Sequence, residues 1–329
     1  MRQVRLSICI PTYNFGEFIG ETLESMIGQV GDDVEIVVGD GGSTDNTAEV
    51  IGRYRDIFPR LIYQNFGKKG GIDQDLIKTV ALAQGEYCWL MSADDVPKPG
   101  SVSRVVNELQ NGHSIYLCNR IDCDRSLREI RKRSWLSKKV RDNLFDLSNN
   151  SELRRYLDSA LGLGALFSYI SSIIVRRSDW DSVKDNELFI GSNYAHVHRL
   201  FSIAQNGGRL KYIDDPLIWT RLYNDSFMAN GITRRYFIDL DGYQLLAYYL
   251  FSNDHIRDAI KLIMRREHKW YFFSGVRSQI SKKEWGGLER RLYSYGYSRI
   301  ALYLARNVGQ SRWMLLLARR LRNLWEYSK

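Results

Sequence analysis

Asp94 and Asp95 stand side by side after the apolar run Tyr87-Cys88-Trp89-Leu90-Met91, and Asp40 follows a second run, Val34-Glu35-Ile36-Val37-Val38. Runs of this kind read as buried strands. Two strands that each end in carboxylates place a site at the carboxyl edge of a parallel sheet, where open α/β folds bind ligands. Adjacent carboxylates repel each other unless a cation neutralises them. A hard divalent ion bridging to phosphate oxygens does so. That chemistry points to a nucleotide-diphosphate substrate.

The elements that must position these groups alternate over residues 5–95. Leu6 to Ile10 reads as a strand and Pro11-Thr12-Tyr13-Asn14 as a turn. Ile19, Leu23, Met26 and Ile27 recur at helical spacing. Val34 to Val38 and Leu61 to Tyr63 are expected strands, and Lys68-Lys69-Gly70-Gly71 a basic loop. Residues 73–83 read as a helix ending near Gly85. This alternation implies a parallel sheet with right-handed crossovers. Further on, Ser114 to Cys118 and Ile170 to Val175 look like strands. The polar stretch 125–155 reads as a loop plus one helix, a helix is expected from about Tyr194, and 234–329 reads as all-helical.

The chain has 329 residues, 44% hydrophobic and 26% charged, enough for one large domain or two modest ones. No run approaches the roughly 20 apolar residues of a membrane span, and no apolar leader segment follows Met1. The four cysteines lack metal-ligand spacing and read as reduced thiols of a cytosolic protein, with Cys9 and Cys88 as small core residues of apolar strands. Between Arg277 and Lys329 twelve basic residues face three acidic ones, an excess of nine that equals the whole net charge of +9. Such a tail attracts an anionic membrane surface. Trp313, Leu316, Leu317, Leu321, Leu324 and Trp325 share one face of an expected basic amphipathic helix. Packing of that helix on the protein body is the alternative.

Three motifs occur in order: Pro11-Thr12-Tyr13-Asn14, Gly39-Asp40-Gly41-Gly42-Ser43-Thr44-Asp45 and Ser92-Ala93-Asp94-Asp95. Together they resemble the family 2 glycosyltransferases of GT-A fold. The resemblance implies a Rossmann-like α/β fold, with a mostly parallel sheet, helices on both faces and a helical C-terminal region. It implies a GT-A domain over residues 1–230 and a helical, basic region over 231–329. A narrower resemblance, to the abequosyltransferases of bacterial O-antigen assembly, rests on further segments. Among them are Arg133-Ser134-Trp135-Leu136, Phe167-Ser168-Tyr169-Ile170-Ser171-Ser172 and Tyr194-Ala195-His196-Val197. It implies transfer of a 3,6-dideoxyhexose from a CDP-sugar to a mannose of a lipid-linked oligosaccharide. The expected place is the cytoplasmic face of the inner membrane, as a peripheral protein.

The wider family implies roles for particular residues. Pro11, Thr12 and Tyr13 would hold the nucleoside, and Asp40 would accept from the base or a ribose hydroxyl. Plain turn chemistry at Thr12 and Tyr13 and helix capping by Asp40 are the alternatives. Asp95, with Asp94, matches the motif that holds Mg²⁺ or Mn²⁺, although Ser92 stands where the family often has a first Asp. The ion would stabilise the nucleotide leaving group. Lys68 and Lys69 would touch phosphate or serve as surface charge. Asp73 would contact the nucleotide or cap a helix. Asn224-Asp225-Ser226 with Arg221 would close over the donor, or Arg221 would pair the diphosphate; a solvated loop is the alternative.

The family's usual catalytic carboxylate pair is missing. Ser192 and Asn193 occupy its positions, and neither is a base. His196 titrates near neutral pH and is the candidate base, with a structural histidine as the alternative. The missing carboxylate also admits a retaining, front-face route in which a leaving-group phosphate oxygen takes the proton. Other classes fit less well. A nucleotidyltransferase or dinucleotide-dependent oxidoreductase would carry a Gly-rich loop where Pro11-Thr12-Tyr13-Asn14 stands. An inactive partner that binds only nucleotide or membrane would not need Asp94 and Asp95. No nucleic-acid motif accompanies the basic tail, so no nucleic-acid partner is expected.

Overall fold

Strand β1 (Leu6–Thr12) and strand β2 (Val34–Asp40) are buried along their whole length, so apolar side chains on both faces find cover. The computed structural model describes residues 3–222, 224 and 231–310. The expected amphipathic helix at 313–325 and the segment Asp225-Ser226 lie outside the described residues.

Between β1 and β2 runs α1 (Gly16–Glu24), and α2 (Thr47–Gly52) leads to β3 (Leu61–Asn65). α3 (Ile72–Ala81) then leads to β4 (Tyr87–Leu90). These four strands lie side by side in the order β3-β2-β1-β4, all parallel. Leu6, Ile8 and Ile10 pack on one side with Ile19 and Leu23 of α1 and with Val50 and Ile51 of α2. α3 lies against β1 and β2 from the other side, where Gly39 leaves room for Thr79.

The second half of the sheet is mixed. β5 (Val96–Pro97), α4 (Ser101–Glu108), β6 (Ile115–Cys123), β7 (Glu129–Arg133), β8 (Leu144–Asp146) and α5 (Asn150–Ser159) follow in order. Next come β9 (Ile173–Arg176), α6 (Arg177–Ser182), α7 (Ala195–Gln205) and β10 (Arg209–Arg221). β9 lies between β4 and β6, antiparallel to both, and β10 runs parallel to β6.

Three readings of the sequence needed revision. The strand expected from Ile170 begins at Ile173, because Ile170–Ser172 is a 3₁₀ turn. There the Ser171 hydroxyl accepts from the Ser92 N–H and the Ser171 carbonyl accepts from the Trp89 indole. The polar stretch 125–155 contains β7 and β8 besides its helix; β7 is mostly exposed and shows no buried-face pattern. β10 was not foreseen, since Asp214-Asp215-Pro216 interrupts it and its register against β6 slips on both sides of Pro216.

The chain divides into two compact units, residues 1–224 and 225–329. The described part of the second is helical: α8 (Ile232–Leu250), α9 (Asp254–Glu267), α10 (Trp270–Arg277), α11 (Lys282–Ser294) and α12 (Arg299–Gln310). α11 opens on a capping box between Ser281 and Glu284. Leu246, Ile263, Met264, Phe273, Leu288 and Leu292 are among its buried residues. Among the described residues no helix is long and apolar enough to cross a membrane.

A buried polar knot joins the amino ends of β1, β2 and β4. Glu35 is 2% exposed, and its carboxylate accepts from the Ser7 hydroxyl at 2.5 Å and the Gln84 N–H at 2.6 Å. The Gly85 N–H donates to Ser7 Oγ at 2.9 Å. A Cβ on Gly85 would meet the Ser7 backbone N at 2.8 Å and the Leu6 carbonyl carbon at 2.9 Å. Backbone gives way poorly, so Gly85→Ala is expected to cost about 1–3 kcal/mol, read as a lower urea midpoint with unchanged slope.

Candidate active site

The parallel strands deliver their ends to one edge. Thr12 pairs with Asp40 across β1 and β2, Asp40 pairs with Asn65 across β2 and β3, and Met91 N–H bonds the Cys9 carbonyl. Asp94 and Asp95 follow directly in the turn after β4. The Thr22 hydroxyl of α1 holds that turn through the Ala93 carbonyl at 2.9 Å.

Asp40 is fully buried. Its Oδ1 accepts from the Ser43 N–H at 2.8 Å and hydroxyl at 2.7 Å, and its Oδ2 from Tyr63 at 2.7 Å. Burial and the Asp40 charge push the Tyr63 phenol up to about 12, so it stays a donor. Asp40 therefore shapes the 41–44 loop; the helix that follows has Asn46 at its N-cap. Asn14, at φ 57°, accepts from the Thr44 N–H at 2.8 Å, and its own N–H reaches Ser43 Oγ. The first two motifs are thus one cross-bonded surface. Pro11 is buried within β1, and the buried Thr12 hydroxyl has no partner among the described residues. Tyr13 carries the Lys69 ammonium 4.1 Å above its ring. Lys68 is exposed and makes no hydrogen bond or ion pair among the described residues.

The carboxylate pair is held by Ser92 beside it and by groups far away in sequence. Asp94 accepts from the Ser92 hydroxyl at 2.5 Å and the Asn224 amide at 2.7 Å. Asp95 is 2% exposed, and its Oδ2 accepts from both the Ser171 hydroxyl and the Tyr169 phenol. Burial, then the neighbouring Asp94 charge, raise the Asp95 carboxyl to about 7. Tyr169 also meets Thr220 Oγ1 at 2.5 Å and lies beneath the Arg120 guanidinium at 4.1 Å. Arg120 pairs with the buried Asp122 at 2.9 Å. Arg221 has a fully buried side chain that donates to the carbonyls of Asp94 and Arg125 and pairs with Glu21. Its donors are thus spent on fixing the turn.

These residues fit a hard divalent cation. Asp95 Oδ1 receives no hydrogen bond among the described residues, and a cation beside it would relieve the repulsion that holds its proton. Among the described residues no cluster of three or more Asp, Glu, His or Cys forms a complete cage. Two carboxylates with phosphate oxygens and water completing the shell is how small hard cations are held on phosphate substrates.

Asp73 and His196 sit elsewhere. Asp73 is 3% exposed and accepts the N–H groups of Gly191, Asn193 and Ala195 at 2.9, 2.8 and 3.1 Å. It ties down the loop before α7, the loop holding Ser192 and Asn193. His196 is buried, with Nε2 3.0 Å from the Phe167 carbonyl, and burial pushes its pKa down to about 4. The ring is neutral near pH 7, Nε2–H donates to that carbonyl, and Nδ1 has no partner among the described residues. Phe167, at φ 62°, begins the segment that carries Tyr169 and Ser171 to Asp95. Tyr169, Ser171 and Arg120 were not foreseen as site residues. The sequence signal for Tyr169 and Ser171 was the polar, aromatic segment Phe167-Ser168-Tyr169-Ile170-Ser171-Ser172, and Arg120 in β6 had none.

A sheet edge presenting a loop-bonded Asp40, a Thr12 hydroxyl with no partner among the described residues and a buried carboxylate pair can receive a nucleotide diphosphate together with a hard cation. The family described as Glycosyl transferase family 2 matches residues 7–180, and the chain belongs to that family. The chain is 36% identical over 275 residues to the abequosyltransferase RfbV of Salmonella typhimurium, covering 81% of this chain and 82% of that one. Its fold is similar to that of TarS from S. aureus in complex with UDP (TM-score 0.61, 15% identity, 99% of this chain and 92% of that one). It is also similar to the mannosyltransferase PcManGT from Pyrobaculum calidifontis in complex with GDP-Man and Mn²⁺ (TM-score 0.55, 16% identity, 99% and 88%).

Two outcomes are expected. Asp73→Ala strands three backbone donors and should cost at least about 2 kcal/mol. Hydrogen exchange at Gly191, Asn193 and Ala195 should accelerate, whereas a purely nucleotide-binding Asp73 would change donor affinity alone. In chelator, the folded state keeps a proton on Asp95 up to pH 7 that the unfolded chain loses near about pH 4. Metal-free stability should therefore fall as pH rises between those values, and Asp95→Asn should remove that component of the Tm profile.

Proposed function

We propose that this glycosyltransferase moves a 3,6-dideoxyhexose such as abequose from a CDP-sugar to a mannose of a lipid-linked O-antigen oligosaccharide. The observation that carries this reading is the likeness to RfbV, which runs through four-fifths of both chains and so includes regions outside the shared donor-binding half. We place the work at the cytoplasmic face of the inner membrane, with the protein peripheral and attracted to anionic lipid.

In this reading Pro11, Thr12, Tyr13 and Asp40 receive the nucleoside, with the Thr12 hydroxyl gaining the partner it lacks. Lys69, over Tyr13, and Lys68 supply positive charge near the phosphates. Asp95 and Asp94 would hold Mg²⁺ or Mn²⁺, whose charge would offset that growing on the departing nucleotide. Tyr169 and Ser171 fix one Asp95 oxygen and leave the other for that ion.

The acceptor hydroxyl must lose a proton. Of the two proton acceptors the sequence suggests, His196 is neutral but lies buried away from the carboxylate pair and engaged with Phe167. A phosphate oxygen of the leaving nucleotide needs no side chain, and the chain's own residues favour it. On that route the product keeps the donor's anomeric configuration. His196 then acts by anchoring the turn that aims Tyr169 and Ser171.

The test is nucleotide release from CDP-, UDP-, GDP- and dTDP-sugars, including a CDP-3,6-dideoxyhexose, with Mn²⁺ and a mannose-ended acceptor. CDP release with a glycosylated product is expected, and Asp95→Ala should abolish it while the chain stays folded. Release from a different donor would keep the class and discard the sugar. His196→Ala should lower kcat by roughly 10²-fold or more if the imidazole is the base. A milder loss with an unchanged pH profile is expected if it only anchors the turn.

A further inference from the structure

Between Arg125 and Arg141 the chain carries eight Lys or Arg and one acid, Glu129. This local excess is invisible in the total for residues 1–276, where acids elsewhere cancel it. The β6–β7 hairpin and the turn after it form the segment. Among the described residues β7 pairs only with β6, and its outer edge is unpaired there. Glu129, Ile130, Arg131 and Lys132 are all exposed, Ile130 at 51%. Arg125, Arg128, Arg131 and Arg141 are matched with carboxylates. Lys132, Lys138 and Lys139 are exposed and make no hydrogen bond or ion pair through their ammonium groups among the described residues.

Charged residues on an edge strand ordinarily guard against pairing with another chain. One lysine does that. A guard does not explain a further unmatched pair, Lys138 and Lys139, beyond the strand, nor an exposed isoleucine, Ile130, within it. An aliphatic side chain among cations is suited to a lipid surface, where it enters the headgroup layer while the ammonium groups meet phosphate. The segment is also wired to the site. The Arg221 guanidinium donates to the Arg125 carbonyl at 3.1 Å and to the Asp94 carbonyl at 2.5 Å. Arg120 and Asp122 of β6 join Tyr169 beside Asp95 to Arg131 of β7.

We propose that the 125–141 hairpin is a docking surface for an anionic membrane, set beside the carboxylate pair so that a lipid-anchored acceptor arrives next to the donor. The proposal rests on the lipid-linked acceptor reading. The test compares the full chain with a variant combining Lys132→Ser, Lys138→Ser and Lys139→Ser, three groups without partners to lose. Co-sedimentation at low salt uses phosphatidylcholine vesicles with and without phosphatidylglycerol. Each basic group near an anionic surface contributes about fivefold, so the variant should partition on the order of 10²-fold more weakly onto anionic vesicles. Turnover on a soluble acceptor should not change.

Equal partition of the two proteins overturns the proposal, as does equal binding to neutral and anionic vesicles. Failure of vesicle binding, with a dimer that the variant abolishes, would assign the edge to a second copy of the chain and overturn it too. The acceptor reading fails by a separate sign: efficient transfer by the unmodified chain only to water-soluble acceptors, whatever the vesicles show.

Discussion

The Asp95 carboxylate is withdrawn from water next to that of Asp94, and two such groups cannot both carry charge there unaided. That constraint shapes the sheet. Donors for Asp95 must come from segments outside the β1–β4 half, and they must arrive at the carboxyl end of β4. An antiparallel neighbour does this: residues preceding β9 emerge where β4 finishes, which delivers Tyr169 and Ser171. β6 is antiparallel to β9, so it runs with β4 and brings Arg120 and Asp122 to the same edge. β10 is parallel to β6 and adds Thr220 and Arg221. The mixed half of the sheet is thus the means by which one buried carboxylate acquires its surroundings.

The nucleoside end obeys a different rule. Asp40 is already satisfied by Ser43 and Tyr63, so its first task is to hold the loop that faces Asn14. A carboxylate has about four lone-pair sites, and three are used here, which leaves one for a ligand. The Thr12 hydroxyl is the more telling group, because a buried hydroxyl without a partner costs free energy until something bonds to it. Geometry and an unsatisfied donor among the described residues therefore bear on the same few positions.

Much of the donor half was legible in the sequence, and the reasons are physical. Strands buried on both faces write themselves as apolar runs, and carboxylates directly after them stand out. β7, β8 and β10 left no such record: β7 is exposed, β8 has three residues, and β10 is interrupted at Pro216. Asp73 shows a deeper limit. Its position at the start of α3 suggests a cap or a nucleotide contact, yet its three partners lie about 120 residues further on. Tyr169 and Ser171 were unreadable for the same reason. A hydrogen bond across more than 70 residues has no local spacing to betray it.

A charge total over a long stretch hides a local excess. A total over 276 residues describes a field that no ligand feels, because salt screens charge beyond roughly 10 Å at 0.1 M ionic strength. What a surface meets is the excess within that distance, and residues 125–141 hold one although the total around them vanishes. Matched arginines screen themselves further: Arg131 spends its charge on Asp122, and Arg128 on Asp124. The lysines remain. Their flexible, strongly hydrated ammonium groups suit a diffuse sheet of phosphates better than one fixed partner. The same stretch of chain thus ties itself to the site through Arg131 and Asp122 and leaves its lysines to face outward.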